Sequence, residues 1–161
     1  MRKVFISSLF MLALAAFFAV PVPADQSLAR FEGGIGSTPL KSGGTPNVVQ
    51  GVNPGGLPWV ITSLKANVED DGHIRVDGRG LLLAGGNNIG RNGGQSVRAR
   101  LFCGATAPTA HDSGAVPLDS DGDFSIEGSL TPMPPVICGN PTLLILNAAG
   151  TAWFAAGVPR S

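Results

Sequence analysis

The residues best suited to hydrolytic chemistry stand together at His111, Asp112 and Ser113, the side-chain types of a base, its orienting acid and a nucleophile. A working relay needs these groups to converge from separate elements, and three consecutive residues cannot do so. The other histidine, His73, follows an Asp-Gly turn, and most carboxylates fall in turns where water keeps them ordinary acids. This inventory favours a non-enzymatic protein, with a small secreted or periplasmic hydrolase as the alternative.

A second group, Asp119, Asp121 and Asp123, alternates around Gly122 as the first ligands of a calcium loop do. The helix–loop–helix form requires Gly at the sixth position and Glu at the twelfth, which are Phe124 and Leu130 here. What stays open is weak calcium binding by a looser acidic turn, against a plain hairpin turn. A third group is basic. If the strands 74–83 and 96–103 pair as a hairpin, Arg75, Arg79, Arg98 and Arg100 share one face with Asp77 alone among them. Arginines opposite one another repel, a cost that an anionic ligand or acidic partner would offset. These four are the expected anion- or partner-binding residues, for an acidic polymer or an envelope protein. The competing reading is a solvated face balanced by nearby acidic turns.

The loop from Gly85 to Asn92 has the glycine spacing of a phosphate cradle but lacks the Lys-Ser/Thr ending, and a strand follows it where a helix would be needed. It reads as a glycine-rich connection or binding loop, and no cofactor is expected. Trp59 and Trp153 could stack on sugars, but each lies in an apolar strand and core packing is the expected use. Cys103 and Cys138, the only cysteines, are expected to form a structural disulfide closing a loop of about 35 residues.

The elements that must hold these residues are strands. Leu64 to Val68, Ile74 to Asp77, Val97 to Cys103 and Phe124 to Ile126 alternate apolar and polar residues at the period of two. Leu143 to Leu146 has no polar alternation and is expected to be a central strand covered on both sides. The stretches 71–78 and 121–128 match in residue class throughout, each an Asp-Gly turn feeding a strand. The expected fold is all-β: an antiparallel β-sandwich, immunoglobulin-like or similar, of about seven or eight short strands with one disulfide, or else a small β-barrel.

Ahead of the body, Arg2 and Lys3 precede an apolar run from Val4 to Val20 and a Val22-Pro23-Ala24 end with small side chains at the cleavage positions. That order is a secretory signal peptide. The organisation expected is signal peptide 1–24, a Gly/Pro-rich arm 25–58 with no more than edge strands, and a β-sandwich domain 59–161. No membrane span is expected after cleavage. Nine basic and eleven acidic residues then remain, a formal charge of −2 that argues against nucleic-acid binding. Export places the domain in the periplasm or the extracellular medium, where a disulfide persists.

The run Gly78 to Gly90, GRGLLLAGGNNIG, together with Phe31 to Gly36, FEGGIG, resembles a group of small exported bacterial proteins with no assigned activity. The resemblance covers most of the mature chain. It implies one exported domain and brings no catalytic or binding residues with it.

Overall fold

The alternating segments become strands because each can turn its apolar side chains to one face and its polar ones to the other. A computed structural model describes residues 26–160 except 43–44 and 106–107. The expected signal peptide, 1–24, lies outside the described residues. Five strands come from the first part of the chain: β1 Ser27–Gly36, β2 Lys41–Ser42, β3 Thr45–Pro46, β4 Asn53–Pro54 and β5 Trp59–Val60. Then follow β6 Ser63–Glu69, β7 His73–Arg79, β8 Leu82–Leu83, β9 Ser96–Phe102 and β10 Ala110–Asp112. The last are β11 Val116–Pro117, β12 Phe124–Ser129, β13 Thr142–Asn147 and β14 Ala152–Pro159. The fold is all-β, as read from the sequence, and no helix among the described residues is long and apolar enough to cross a membrane.

The principal strands form one antiparallel sheet in the order β10-β9-β13-β14-β1-β6-β7-β12. It curls until its first and last strands meet. Asp112 at the end of β10 and Thr131 just beyond β12 exchange two backbone hydrogen bonds of 2.9 Å each. Opposite halves of the sheet thus face each other across the core, as in a sandwich, while the edges approach closure, as in a small barrel. The enclosed core contains Phe31, Leu64, Val68, Ile74, Val76, Leu101, Ile126, Leu143 and Ile145.

The expected arm requires correction. Its first part is β1, which lies between β14 and β6 in the interior of the sheet and not at an edge. Gly33, at φ +98°, lies where the pairing with β14 shifts register between Phe31 and Gly34. The glycines that make the segment look irregular therefore accommodate a bulge within a real strand. The remainder does behave as a covering arm. Val49 and Val52 pack with Phe102, Leu144, Leu146 and Trp153 on the outer face, and Trp153 Nε1 donates to Asn47 O at 3.2 Å. Leu143 and Ile145 point into the enclosed core while Leu144 and Leu146 point under the arm, so the strand without alternation is covered on both sides.

The two Asp-Gly units are partners. β7 and β12 pair antiparallel with Val76 opposite Ile126, residues that hold the same place in the two copies. Each turn also accepts a hydrogen bond from beyond the other copy's strand: Leu130 N–H to Gly72 O and Leu81 N–H to Gly122 O, both 2.9 Å. The sequence likeness is thereby a local two-fold arrangement within the sheet.

Candidate functional site

The four arginines do not share a face. β7 pairs with β6 and β12, whereas β9 pairs with β13, β10 and β11, so the hairpin needed to bring them together does not form. The chain instead ends β7 at Arg79 and folds Leu82–Leu83 back onto Trp59–Val60. Each arginine has found an acid. Arg75 Nη2 donates to Glu127 Oε1 at 2.6 Å from the adjacent strand, and Arg79 Nη1 donates to Asp123 Oδ2 at 2.9 Å. The hydrogen bond from Arg75 holds the exposed Glu127 carboxyl below its ordinary value of 4.5. A lowered folded-state value means that the stabilisation is present above the ordinary carboxylate value and fades as acid titrates the folded carboxylate. Glu127→Gln should therefore show a smaller loss of stability between neutral and acid pH than the parent in urea titrations. An identical acid limb would show that the pair contributes nothing, the usual outcome for exposed ion pairs.

Arg98 and Arg100 converge on one carboxylate. Arg100 Nε and Nη2 grip Asp112 at 2.5 and 2.7 Å, and Arg98 Nη1 stands 3.9 Å from Asp112 Oδ2. Arg100 Nη1 also reaches Gly150 O at 3.3 Å in the turn between β13 and β14. These side chains are sheltered, at 17% exposed for Arg100, 28% for Arg98 and 25% for Asp112. Asp112 raises the pKa of the Arg100 guanidinium by accepting its hydrogen bonds, with burial opposing the shift. Arg98 Nε is buried with no hydrogen-bond partner. The cluster pins the edge strand β10 to β9, which is a structural duty.

The acidic turn is also occupied by its own backbone. Asp119 Oδ1 accepts from the N–H groups of Asp121 and Asp123 at 2.9 and 2.8 Å, and Asp123 Oδ1 accepts from Gly80 N–H at 2.9 Å. With Asp123 Oδ2 on Arg79, the three aspartates do not assemble a cation site. No group of three His, Cys, Asp or Glu residues suited to a metal occurs among the described residues. The looser calcium loop is corrected to a self-capping turn.

His111, Asp112 and Ser113 are likewise claimed individually. His111 is buried with Nδ1 2.7 Å from Pro132 O, Asp112 holds the arginines, and buried Ser113 Oγ accepts from Ala99 N–H at 2.9 Å and donates to Gly114 O. Cys103 and Cys138 form the expected disulfide across 35 residues. Trp59 and Trp153 are buried, Trp59 stacked on Phe154 with ring centroids 4.2 Å apart.

Two features escaped the sequence reading. One is a cleft of about 330 Å3 lined by Gly56, Leu57, Trp59, Leu83, Asn88, Gly93, Gln95 and Phe154. The glycine-rich loop forms one wall. It is folded: Ala84 N–H donates to Pro58 O, Gly90 N–H to Leu83 O, and Asn92 Nδ2 to Asp119 O at 2.7 Å. An ideal Cβ at Gly93 would stand 3.6 Å from the Trp59 ring, and one at Gly56 would meet nothing within 4 Å. No titratable side chain lines this cleft. It draws on residues 56–59, 83–95 and 154, which no local pattern connects. The other is the apolar surface at Met133, Val136 and Ile137. Its signal was available in the sequence as an uncharged proline-rich run, but exposure was not.

Neither a family model, nor a curated protein, nor a solved structure matches this chain.

Proposed function

We propose that this chain is an exported, non-enzymatic binding protein, acting in the periplasm or outside the cell. The observation that carries the reading is the Trp59–Phe154 cleft. It lies over the buried Trp59–Phe154 pair and offers exposed Leu57 and the amides of Asn88 and Gln95, with no acid, base or thiol to drive a reaction. Concave, mostly apolar sites with a few placed polar groups are where proteins hold small ligands. The chemistry fits an uncharged ligand with one apolar ring face and one or two hydrogen-bonding groups. Export is supported by the charged–apolar–small order of the first 24 residues and is compatible with the disulfide. An acidic polymer fits less well, because each of the four arginines already faces a carboxylate.

The test is a thermal-shift and tryptophan-fluorescence titration of the oxidised mature chain with neutral phenyl glycosides. A ligand at 100 times its Kd adds about 2.7 kcal/mol of stability. The expected result is a saturable rise that Gly56→Phe removes by filling the cleft. No response to neutral probes, with a rise for an acidic polysaccharide that Arg98→Ser/Arg100→Ser abolishes, would overturn the cleft and restore the arginines.

A further inference from the structure

From Gly128 to Pro159 the chain has no charged residue and no histidine. Its strands β13 and β14 bury their central residues, but the loop before them turns outward. Met133 is 67% exposed, Val136 78% and Ile137 81%. Scattered apolar residues on a surface need no explanation; three large ones within five positions do.

The loop is also held firmly at both ends. Thr131 is bonded to Asp112, and Pro132 O lies 2.7 Å from His111 Nδ1. At the far end, Cys138 is tied to Cys103 and Gly139 O accepts from Gly104 N–H at 2.6 Å. Pro132, Pro134 and Pro135 fix three backbone φ angles between those anchors. Apolar side chains on so restrained a segment lose little backbone freedom when they dock, which favours binding.

What docks is indicated by charge. Met133 and Pro134 pack on the turn between β6 and β7, where an ideal Cβ at Gly72 would lie 3.2 Å from Met133 Cγ and 3.1 Å from Pro134 Cδ. That turn carries Glu69, Asp70 and Asp71, the two aspartates exposed. The Met133 end of the apolar loop therefore has an acidic border. A second copy docked symmetrically would bring a second acidic turn into the interface with no basic residue of the loop to offset it. A bilayer rich in anionic lipid would meet the same repulsion. A protein segment with apolar side chains flanked by lysine or arginine satisfies both parts of the surface.

We propose that Met133, Val136 and Ile137, bordered by Asp70 and Asp71, form a docking surface for a basic, apolar segment of another protein. This surface is separate from the Trp59 cleft and does not depend on it. The probe is a labelled synthetic peptide of alternating leucine and lysine, titrated with the oxidised mature chain and read by anisotropy. Controls are a leucine–glutamate peptide, phosphatidylglycerol vesicles, and sedimentation of the protein alone. The leucine–lysine peptide is expected to bind, Val136→Ser/Ile137→Ser to weaken it by about tenfold or more, and Asp70→Asn/Asp71→Asn to weaken it less while removing most of its salt dependence. All four positions are at the surface, so folding should survive and is checked by the urea midpoint. The proposal is overturned if that peptide does not bind or binds both variants as it binds the parent. It is equally overturned if the vesicles bind more tightly, or if the protein alone self-associates through Val136 and Ile137.

Discussion

Asp112→Ala is expected to lower the free energy of unfolding by about 3 kcal/mol, most of it from charge left without a partner. The carboxylate is gripped by two nitrogens of Arg100 and approached by Arg98. Removing it leaves two guanidiniums in a sheltered site with one carbonyl, Gly150 O, as the remaining acceptor described for Arg100. Neither arginine can escape by losing its proton, so the cost falls on the fold. Asp112→Asn keeps an acceptor but no charge and should cost about half as much. Arg100→Met combined with Asp112→Leu removes the gripped pair and should recover part of the loss, Arg98 alone being left without its carboxylate. Urea is the right denaturant because guanidinium salts would screen the interaction. A change under about 0.5 kcal/mol for Asp112→Ala would show that water already solvates the cluster as a surface pair.

Removing the disulfide should cost as much or more. With the cysteines 35 positions apart, the loop-entropy relation gives about 3–4 kcal/mol for Cys103→Ser/Cys138→Ser. The bridge spans the end of β9 and the loop entering β13, neighbours in the sheet, so reduction frees the approach to a pairing that runs from Thr142 to Asn147. The same bridge restrains the apolar loop. The expected observation is a lower urea midpoint and greater protease sensitivity around residues 133–141 in the reduced or serine form. Equal midpoints for oxidised and reduced protein would mean that the native bonding of Gly104 to Gly139 alone holds the loop.

What could be read from the sequence was local. Alternation located β6, β7, β9 and β12, and its absence correctly marked Leu143 to Leu146 as covered on both sides. The Asp-Gly turns before β7 and β12 were legible because their chemistry is short-range, with Gly72 and Gly122 at φ +81° and +79°. β1 was not legible as an interior strand, because the glycines that accommodate its bulge are also the residues of loops. Neighbour relations were the larger loss. A strand's own pattern shows which face it buries but not which strand lies beside it. So the grouping of Arg75 and Arg79 with Arg98 and Arg100 failed although all four were placed correctly on outward faces. The cleft failed for the same reason, its walls being far apart along the chain.

The meeting of Asp112 with Thr131 has a colloidal consequence. At a formal charge near zero, this protein has little electrostatic repulsion to keep its copies apart. Curled sheets with exposed edges then tend to add strands from one molecule to the next, and growth of that kind has no natural end. Here the last strand at one edge lies against the other edge, with β11 beside β12 and β10 bridged past it. The Asp112–Thr131 pairing thereby occupies backbone groups that an added strand would need at that point of the edge.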